Sequence, residues 1–212
     1  MSMIDSHEQE QLDALKAWWK EKRNWLIAAV AVALLAYAAV ASWKYYQQKQ
    51  STEASLLYAE VLKQVASNDP KRINDSVAVL VERYASTAYA SRAQLLAVQT
   101  NMQTKDFPLA KKQLEWVISH ASESALQDTA RLKLSSILLD EKKYDEAMKL
   151  LNATHPEAFV GLYSDLKGDV LAAQDKTEEA RSAYKQALDG MESKSAYRNL
   201  IQLKLDGLGG AK

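Results

Sequence analysis

Cysteine is absent from the 212 residues, glycine (6) and proline (3) are scarce, and neither charge sign dominates, with 27 Lys plus Arg against 27 Asp plus Glu. The first absence excludes disulfides, thiolate chemistry, Cys-based zinc sites and a lipidated cysteine anchor. It suits an oxidising compartment without requiring one. Few chain breakers, with Ala, Leu and Lys plentiful, favour helices throughout. The charge balance removes the basic excess of a nucleic-acid binder, and it does so locally. The opening 43 residues hold 4 basic and 5 acidic residues, leaving 23 of the 27 and 22 of the 27 beyond them.

What the sequence does have is one long apolar run, 24-NWLIAAVAVALLAYAAVASW-43, free of charge, Gly and Pro. A bilayer core about 30 Å thick takes roughly 20 apolar residues in a helix. Leu26, Ile27, Val30, Val32, Leu34, Leu35 and Val40 together favour insertion by about 2 to 4 kcal/mol on a biological scale. Trp18, Trp19 and Trp25 before the run, with Trp43, Tyr45 and Tyr46 after it, form the aromatic belts of a spanning helix. A buried core helix is the first rival, and it fits badly, because the run lacks a polar face for five turns. A cleaved signal is the second: Ala39-Val40-Ala41 resembles a cleavage site, but the leading region is long, carries Glu8, Glu10, Asp13 and Glu21, and Trp43 follows at once. The expectation is an uncleaved anchor.

Lys16, Lys20, Lys22 and Arg23 precede the run, while Lys44 and Lys49 follow it. That bias places the N-terminus in the cytoplasm and the larger C-terminal part across the membrane, in the periplasm if the cell is bacterial. Ala29, Ala33 and Ala41 form a small-residue stripe suited to packing against another membrane helix, a pattern that also arises by chance in an Ala-rich segment.

Beyond the run, helices follow one another. Ala54, Leu57, Tyr58, Val61, Leu62 and Val65 make one apolar face on a stalk that continues the membrane helix. Asn68-Asp69-Pro70 restarts the chain, with Asp69 as cap and Pro70 at the first helical position. Ile73, Val77, Leu80, Val81 and Tyr84 make the next face, and Ser86-Thr87 offers a further cap. The segments 105-KDFPLAKKQL, 142-KKYDEAMKLL and 175-DKTEEARSAY then repeat one arrangement, with Ala110, Ala147 and Ala180 spaced by 37 and 33 residues. These spacings bracket the 34 of tetratricopeptide repeats.

Two antiparallel helices joined by a short turn approach closely near it, so a small residue is needed there. Twelve residues before each Ala stand Val98, Ser135 and Gly168. The third repeat matches best, through Gly168, Leu171, Ala180, Tyr184 and Ala187; Val98, Asn101 and Val117 depart from the pattern in the first, and Thr154 in the second. Gly190 is expected as a C-cap, and Tyr197, Leu200, Ile201 and Leu205 form one side of a final capping helix. The expected fold class is all-α: a single N-terminal transmembrane helix followed by a tetratricopeptide-like helical-repeat solenoid. Its expected parts are a cytoplasmic head (1–23), the transmembrane helix (24–43), a stalk and first helix (44–66), the repeats with the capping helix (67–205) and a flexible tail (206–212), where Gly207 to Gly210 fray.

No Gly-rich phosphate loop, nucleophile motif or zinc spacing is present. His7 stands apart, while His120 and His155 each end a second helix of a pair, where histidine ordinarily meets exposed carbonyls. Acidic pairs such as Asp145-Glu146 and Glu178-Glu179 fall in first helical turns, where they complement the dipole rather than form a catalytic pair. The reading is a non-enzymatic chain with no cofactor, no metal and no nucleic acid, whose work is holding other proteins. Counted from the repeat alanines, the groove-facing positions are Arg92, Leu95, Gln99 and Met102; Thr129, Leu132, Ser136 and Leu139; and Leu162, Asp165 and Asp169. Leu95, Met102, Leu132 and Leu139 make either an apolar floor for a partner or ordinary core.

The head 15-LKAWWKEKRNWL, one membrane helix, 83-RYASTAYASRAQLLAVQ and degenerate helix-pair repeats resemble the ancillary SecYEG translocon subunit family, the YfgM-like proteins of Gram-negative bacteria. The resemblance covers nearly the whole chain. It implies an inner-membrane protein with a periplasmic tetratricopeptide-like domain, associated with the SecYEG translocon and the membrane-anchored periplasmic chaperone PpiD. The implied work is handing newly translocated client proteins to chaperones. Two alternatives stand beside it: a scaffold in envelope or cell-division assembly, and a regulator acting through its cytoplasmic head.

Overall fold

The computed structural model describes residues 4–67, 69–192 and 195–209; Asn68 and Gly210, and the side chains of His7, Glu8, Glu10 and Asp13, lie outside the described residues. Among the described residues the regular structure is all helical, without strands. The chain divides into two compact units, Met1–Lys49 and Gln50–Lys212.

The first helix, α1, runs from Ile4 to Ser67 without a break, as the lack of Gly and Pro predicts. In the first unit it carries the apolar run. Trp25, Ile27, Val30, Val32, Leu34, Leu35, Tyr37, Val40 and Trp43 are all exposed. A soluble core helix buries such side chains; this one is long and apolar enough to cross a membrane. Ala29, Ala33 and Ala41 are exposed within it.

In the second unit the end of α1 packs against α2 (Pro70–Tyr84). Then follow α3 (Ala88–Gln103), α4 (Phe107–His120), α5 (Ser124–Asp140), α6 (Tyr144–Leu151), a short 3-10 turn (Glu157–Phe159), α7 (Val160–Ala173), α8 (Thr177–Asp189) and α9 (Tyr197–Gly207). The end of α1 shares a core cluster with α2 through Val61, Ile73, Val77 and Leu80; from α2 onward consecutive helices pack on one another, and α5 also meets α7 and α3, as in a stack of helical hairpins. Asp69 caps α2 by accepting from the N–H groups of Lys71 and Arg72, with Pro70 in the first turn. Thr87 precedes α3, but its hydroxyl donates to the Tyr84 carbonyl at 2.8 Å, so the expected side-chain cap is not made.

The hairpin turns repeat at the backbone level. Lys105, Lys142 and Asp175 have φ of 62°, 60° and 61°. Each lies five residues before a repeat alanine. The next N–H in each turn bonds back five residues: Asp106 to the Asn101 carbonyl (2.8 Å), Lys143 to Leu138 (2.8 Å) and Lys176 to Leu171 (3.0 Å). This is the Schellman closure of a helix. It forms three times with no glycine at the left-handed position, which is why residue type alone does not reveal it. Ala110, Ala147 and Ala180 are fully buried beyond these turns.

Gly168 shows the close approach most directly, since a Cβ there would stand 2.4 Å from Cε1 of Tyr184. Gly190 does terminate α8, but with φ −80°. Its smallness serves contact instead: a Cβ would lie 2.9 Å from the Gly161 backbone nitrogen at the start of α7.

Asn101, a departure from the repeat pattern, is fully buried in an amide triad. It exchanges bonds with Asn74 at 2.9 and 3.1 Å and donates to Gln113 at 2.8 Å, while Gln113 donates to Asn74 at 3.0 Å. The three helices α2, α3 and α4 are thereby pinned in one register, because any slip leaves buried amides unpaired. Val98 and Val117, the other departures, are ordinary core.

Second-repeat expectations need correction. α6 ends at Leu151, so Thr154 lies outside it and His155 does not end a helix. His155 stacks on Tyr163 at 4.0 Å, and its Nδ1 meets the Ala153 carbonyl at 2.8 Å. Pro156 disfavours helical geometry in the residue before it. At the C-terminus, Gly207 belongs to α9, Leu208 packs on the last core cluster and Arg181 donates to the Gly209 carbonyl at 2.5 Å.

Candidate protein-interaction faces

The first-helix face is carried by α3, α5 and α7, whose inner sides are fixed by the core clusters. In α3 and α5 the predicted positions present a mixed surface. Leu95, Met102, Leu132 and Leu139 are half-buried, packed on the central core cluster while keeping some outer surface. Gln99 is exposed, Ser136 is half-buried, and Thr129 donates to the Ala125 carbonyl at 2.8 Å. Arg92 is engaged by Glu123, with Nη2 at 2.8 and 2.9 Å from the two carboxylate oxygens. Both side chains are about two-fifths exposed (40% and 44%), so this pair contributes roughly 1 kcal/mol at most.

In α7 the expectation fails in part. Leu162 is exposed, but Asp165 is only 2% exposed and Asp169 is half-buried, because α9 lies over them. Lys204 donates to both Asp165 oxygens at 2.9 Å and to Asp169 at 2.8 Å. The Tyr197 hydroxyl donates to Asp165 at 2.8 Å, and the Tyr184 hydroxyl to Asp169 at 2.7 Å. The two aspartates are therefore the socket for the chain's own last helix. Burial pushes the Tyr184 and Tyr197 hydroxyls well above the usual phenol range, and the carboxylates they bond push the same way. For Lys204 burial pulls downward, but the bonds to Asp169 and Asp165 outweigh it and the ammonium is held above its ordinary value. The sequence reading missed Lys204, whose partners lie 39 and 35 residues away.

The opposite, second-helix side carries two recesses that the repeat register does not point to. One, of about 720 Å³, lies between α2 and α4; the other, of about 580 Å³, lies between α4 and α6. Lys111 on α4 meets Glu141 in the α5–α6 turn at 2.5 Å, and Lys143 meets the same carboxylate at 2.8 Å. Hydrogen bonds from Lys111 and Lys143 hold the Glu141 carboxyl below its ordinary value. Among the described residues no group of three or more His, Cys, Asp or Glu side chains is placed to hold a metal. His120 lies flat on Trp116 at 4.5 Å.

A tetratricopeptide repeat-like domain model matches residues 16–210. An ancillary SecYEG translocon subunit of Neisseria gonorrhoeae is 34% identical over 95% of this chain and 97% of that protein. Proteins of the same description from Aggregatibacter actinomycetemcomitans (28% identical, 95% and 97% covered) and Escherichia coli K12 (25% identical, 97% and 98% covered) match over similar lengths. No solved structure matches. A repeat-like match over most of the chain, end-to-end similarity to these proteins and an apolar helix of membrane-spanning length agree with one another: the chain belongs to the ancillary SecYEG translocon subunit family.

Proposed function

We propose that this protein is a membrane-anchored adaptor of the Sec translocon, with residues 24–43 in the inner membrane, the N-terminus in the cytoplasm and the repeats in the periplasm. In this reading it associates with SecYEG and links translocated client proteins to periplasmic chaperones such as PpiD. The observation that carries it is the end-to-end similarity to relatives named for the translocon, joined to a repeat stack of the kind that presents broad faces to other polypeptides. The helical-repeat fold points to work without catalysis. The first-helix face of α3 and α5 is the proposed contact for folded partners, with Leu95, Met102, Leu132 and Leu139 as its apolar elements; Ala29, Ala33 and Ala41 are the proposed packing stripe within the bilayer.

Photoreactive residues placed within 25–43 in intact cells test the association. Capture of translocon subunits is the expected result, and capture of cell-division or envelope-assembly proteins alone would turn the reading toward a scaffold. Leu132→Lys with Leu139→Lys tests the face. Partner co-purification in mild detergent should fall with helicity unchanged; if both fold and co-purification survive, the face is elsewhere.

A further inference from the structure

The recess between α2 and α4 has the chemistry of a site. Its volume of about 720 Å³ lies within the range of sites that hold a ligand's several groups, roughly 300–1,000 Å³. Val81, Leu109 and Trp116 give it apolar walls. Its charged lining is predominantly acidic, with Asp75, Glu82 and Glu115 against Lys112. All three carboxylates are exposed and ready to meet a cation. Gln94 also lines the recess, only 8% exposed, and its Oε1 finds no hydrogen-bond donor among the described residues. A buried acceptor without a donor is costly to keep. The contrast with its surroundings is sharp, since Asn74, Asn101 and Gln113 saturate one another a short way along the same helices.

We propose that this recess binds an extended segment of another polypeptide carrying apolar and basic side chains. The apolar groups rest on Trp116 and Leu109, a Lys or Arg sits among Asp75, Glu82 and Glu115, and an N–H donates to the Gln94 amide oxygen as that buried side chain turns out into the recess. An extended segment fits because its backbone N–H groups are free, whereas those of a helix are already bonded. The acidic lining selects basic side chains and rejects acidic ones by like-charge repulsion. The proposal rests on the adaptor reading above and identifies a face for unfolded chain distinct from the first-helix face.

The test uses the full-length protein in nanodiscs of zwitterionic lipid, with empty nanodiscs as control. The probe is a short fluorescein-labelled peptide of Phe and Lys set among Ser and Thr, compared with the same peptide bearing Glu in place of Lys. The Lys peptide should bind and the Glu peptide should not. Asp75→Lys with Glu82→Lys should lower Lys-peptide affinity at least about tenfold, or 1.4 kcal/mol, and reverse the preference. Ala78 is exposed at the recess, so Ala78→Arg should block binding with the helical signal unchanged. Gln94→Leu gives the most telling result: weaker binding together with a raised thermal midpoint, because the orphan acceptor is gone. Equal binding of the two peptides overturns the proposal, as does affinity within twofold of the parent in both Ala78→Arg and Gln94→Leu. A photoreactive group at Ala78 that captures only a second copy of this chain also overturns it, in favour of self-association. The in-cell crosslinks from residues 25–43 report separately on the translocon. Their failure with peptide binding intact sinks the adaptor reading and leaves the recess, and the reverse result sinks only the recess.

Discussion

At the scale of single residues, the fold depends on where the chain has little side chain and where it tolerates too much. Gly168 and the alanines at 110, 147 and 180 were legible because close helix approach demands small groups at a fixed offset. The left-handed residues at 105, 142 and 175 were not, since Lys, Lys and Asp stand where glycine is the usual marker. Their common five-residue offset from the alanines was the available signal. A non-glycine left-handed residue costs roughly 1–2 kcal/mol, and glycine's extra freedom in the unfolded chain takes back about 0.5–1. Lys142→Gly should therefore stabilise the protein by about 0.5–1 kcal/mol, seen as a higher urea midpoint at unchanged slope. Gly168→Ala should move the opposite way by about 1–3 kcal/mol, since the Tyr184 ring is tethered through its hydroxyl to Asp169 and cannot swing clear without losing that bond. If Lys142→Gly destabilises, the turn is not held in the left-handed form.

At the scale of elements, α9 separates what periodicity reveals from what it hides. Tyr197, Leu200, Ile201 and Leu205 were expected on one apolar side, yet only Ile201 is buried and Leu200 stays 45% exposed. Leu205 and Leu208 add partly buried packing on the last core cluster, and polar contacts complete the docking, through Lys204 and Tyr197 onto Asp165. A sequence period marks an apolar stripe but not which distant carboxylate a lysine meets. The docking also carries a pH dependence. Lys204, Tyr184 and Tyr197 all hold their protons more tightly in the folded protein than their ordinary values of 10.5, 10.0 and 10.0. Raised values give stability that is complete below pH 10 and lost as pH rises through the folded values. Alkaline titration should show tyrosinate absorbance from Tyr184 and Tyr197 appearing together with loss of helical ellipticity, and Tyr197→Phe should shrink that shared step. Ionisation of both tyrosines before any loss of helix would show that α9 is not held by these groups.

At the scale of the whole molecule, the apolar run and the repeats were legible for one reason: each is a pattern sustained over many residues, so single departures such as Asn101 do not erase it. The surfaces were harder, because a face is set by which helices flank it in space. The recess between α2 and α4 joins residues from separate hairpins, and the socket at Asp165 and Asp169 is taken by the chain's own end. Membrane topology returns to sequence-scale physics. Four cationic side chains, Lys16, Lys20, Lys22 and Arg23, precede the apolar run closely, and only Lys44 and Lys49 follow it closely. Cations near a spanning helix are retained on the cytoplasmic side, while long following domains cross largely regardless of their charge. Protease added outside the inner membrane of intact spheroplasts should therefore degrade residues 50–212 and leave a membrane-bound fragment ending near Lys49. Moving the bias, by Lys16, Lys20, Lys22 and Arg23→Gln with added Lys after Trp43, should protect a measurable share of the chain in the same assay. Full protection of the unaltered protein would place the repeats in the cytoplasm and remove them from any client emerging on the far side.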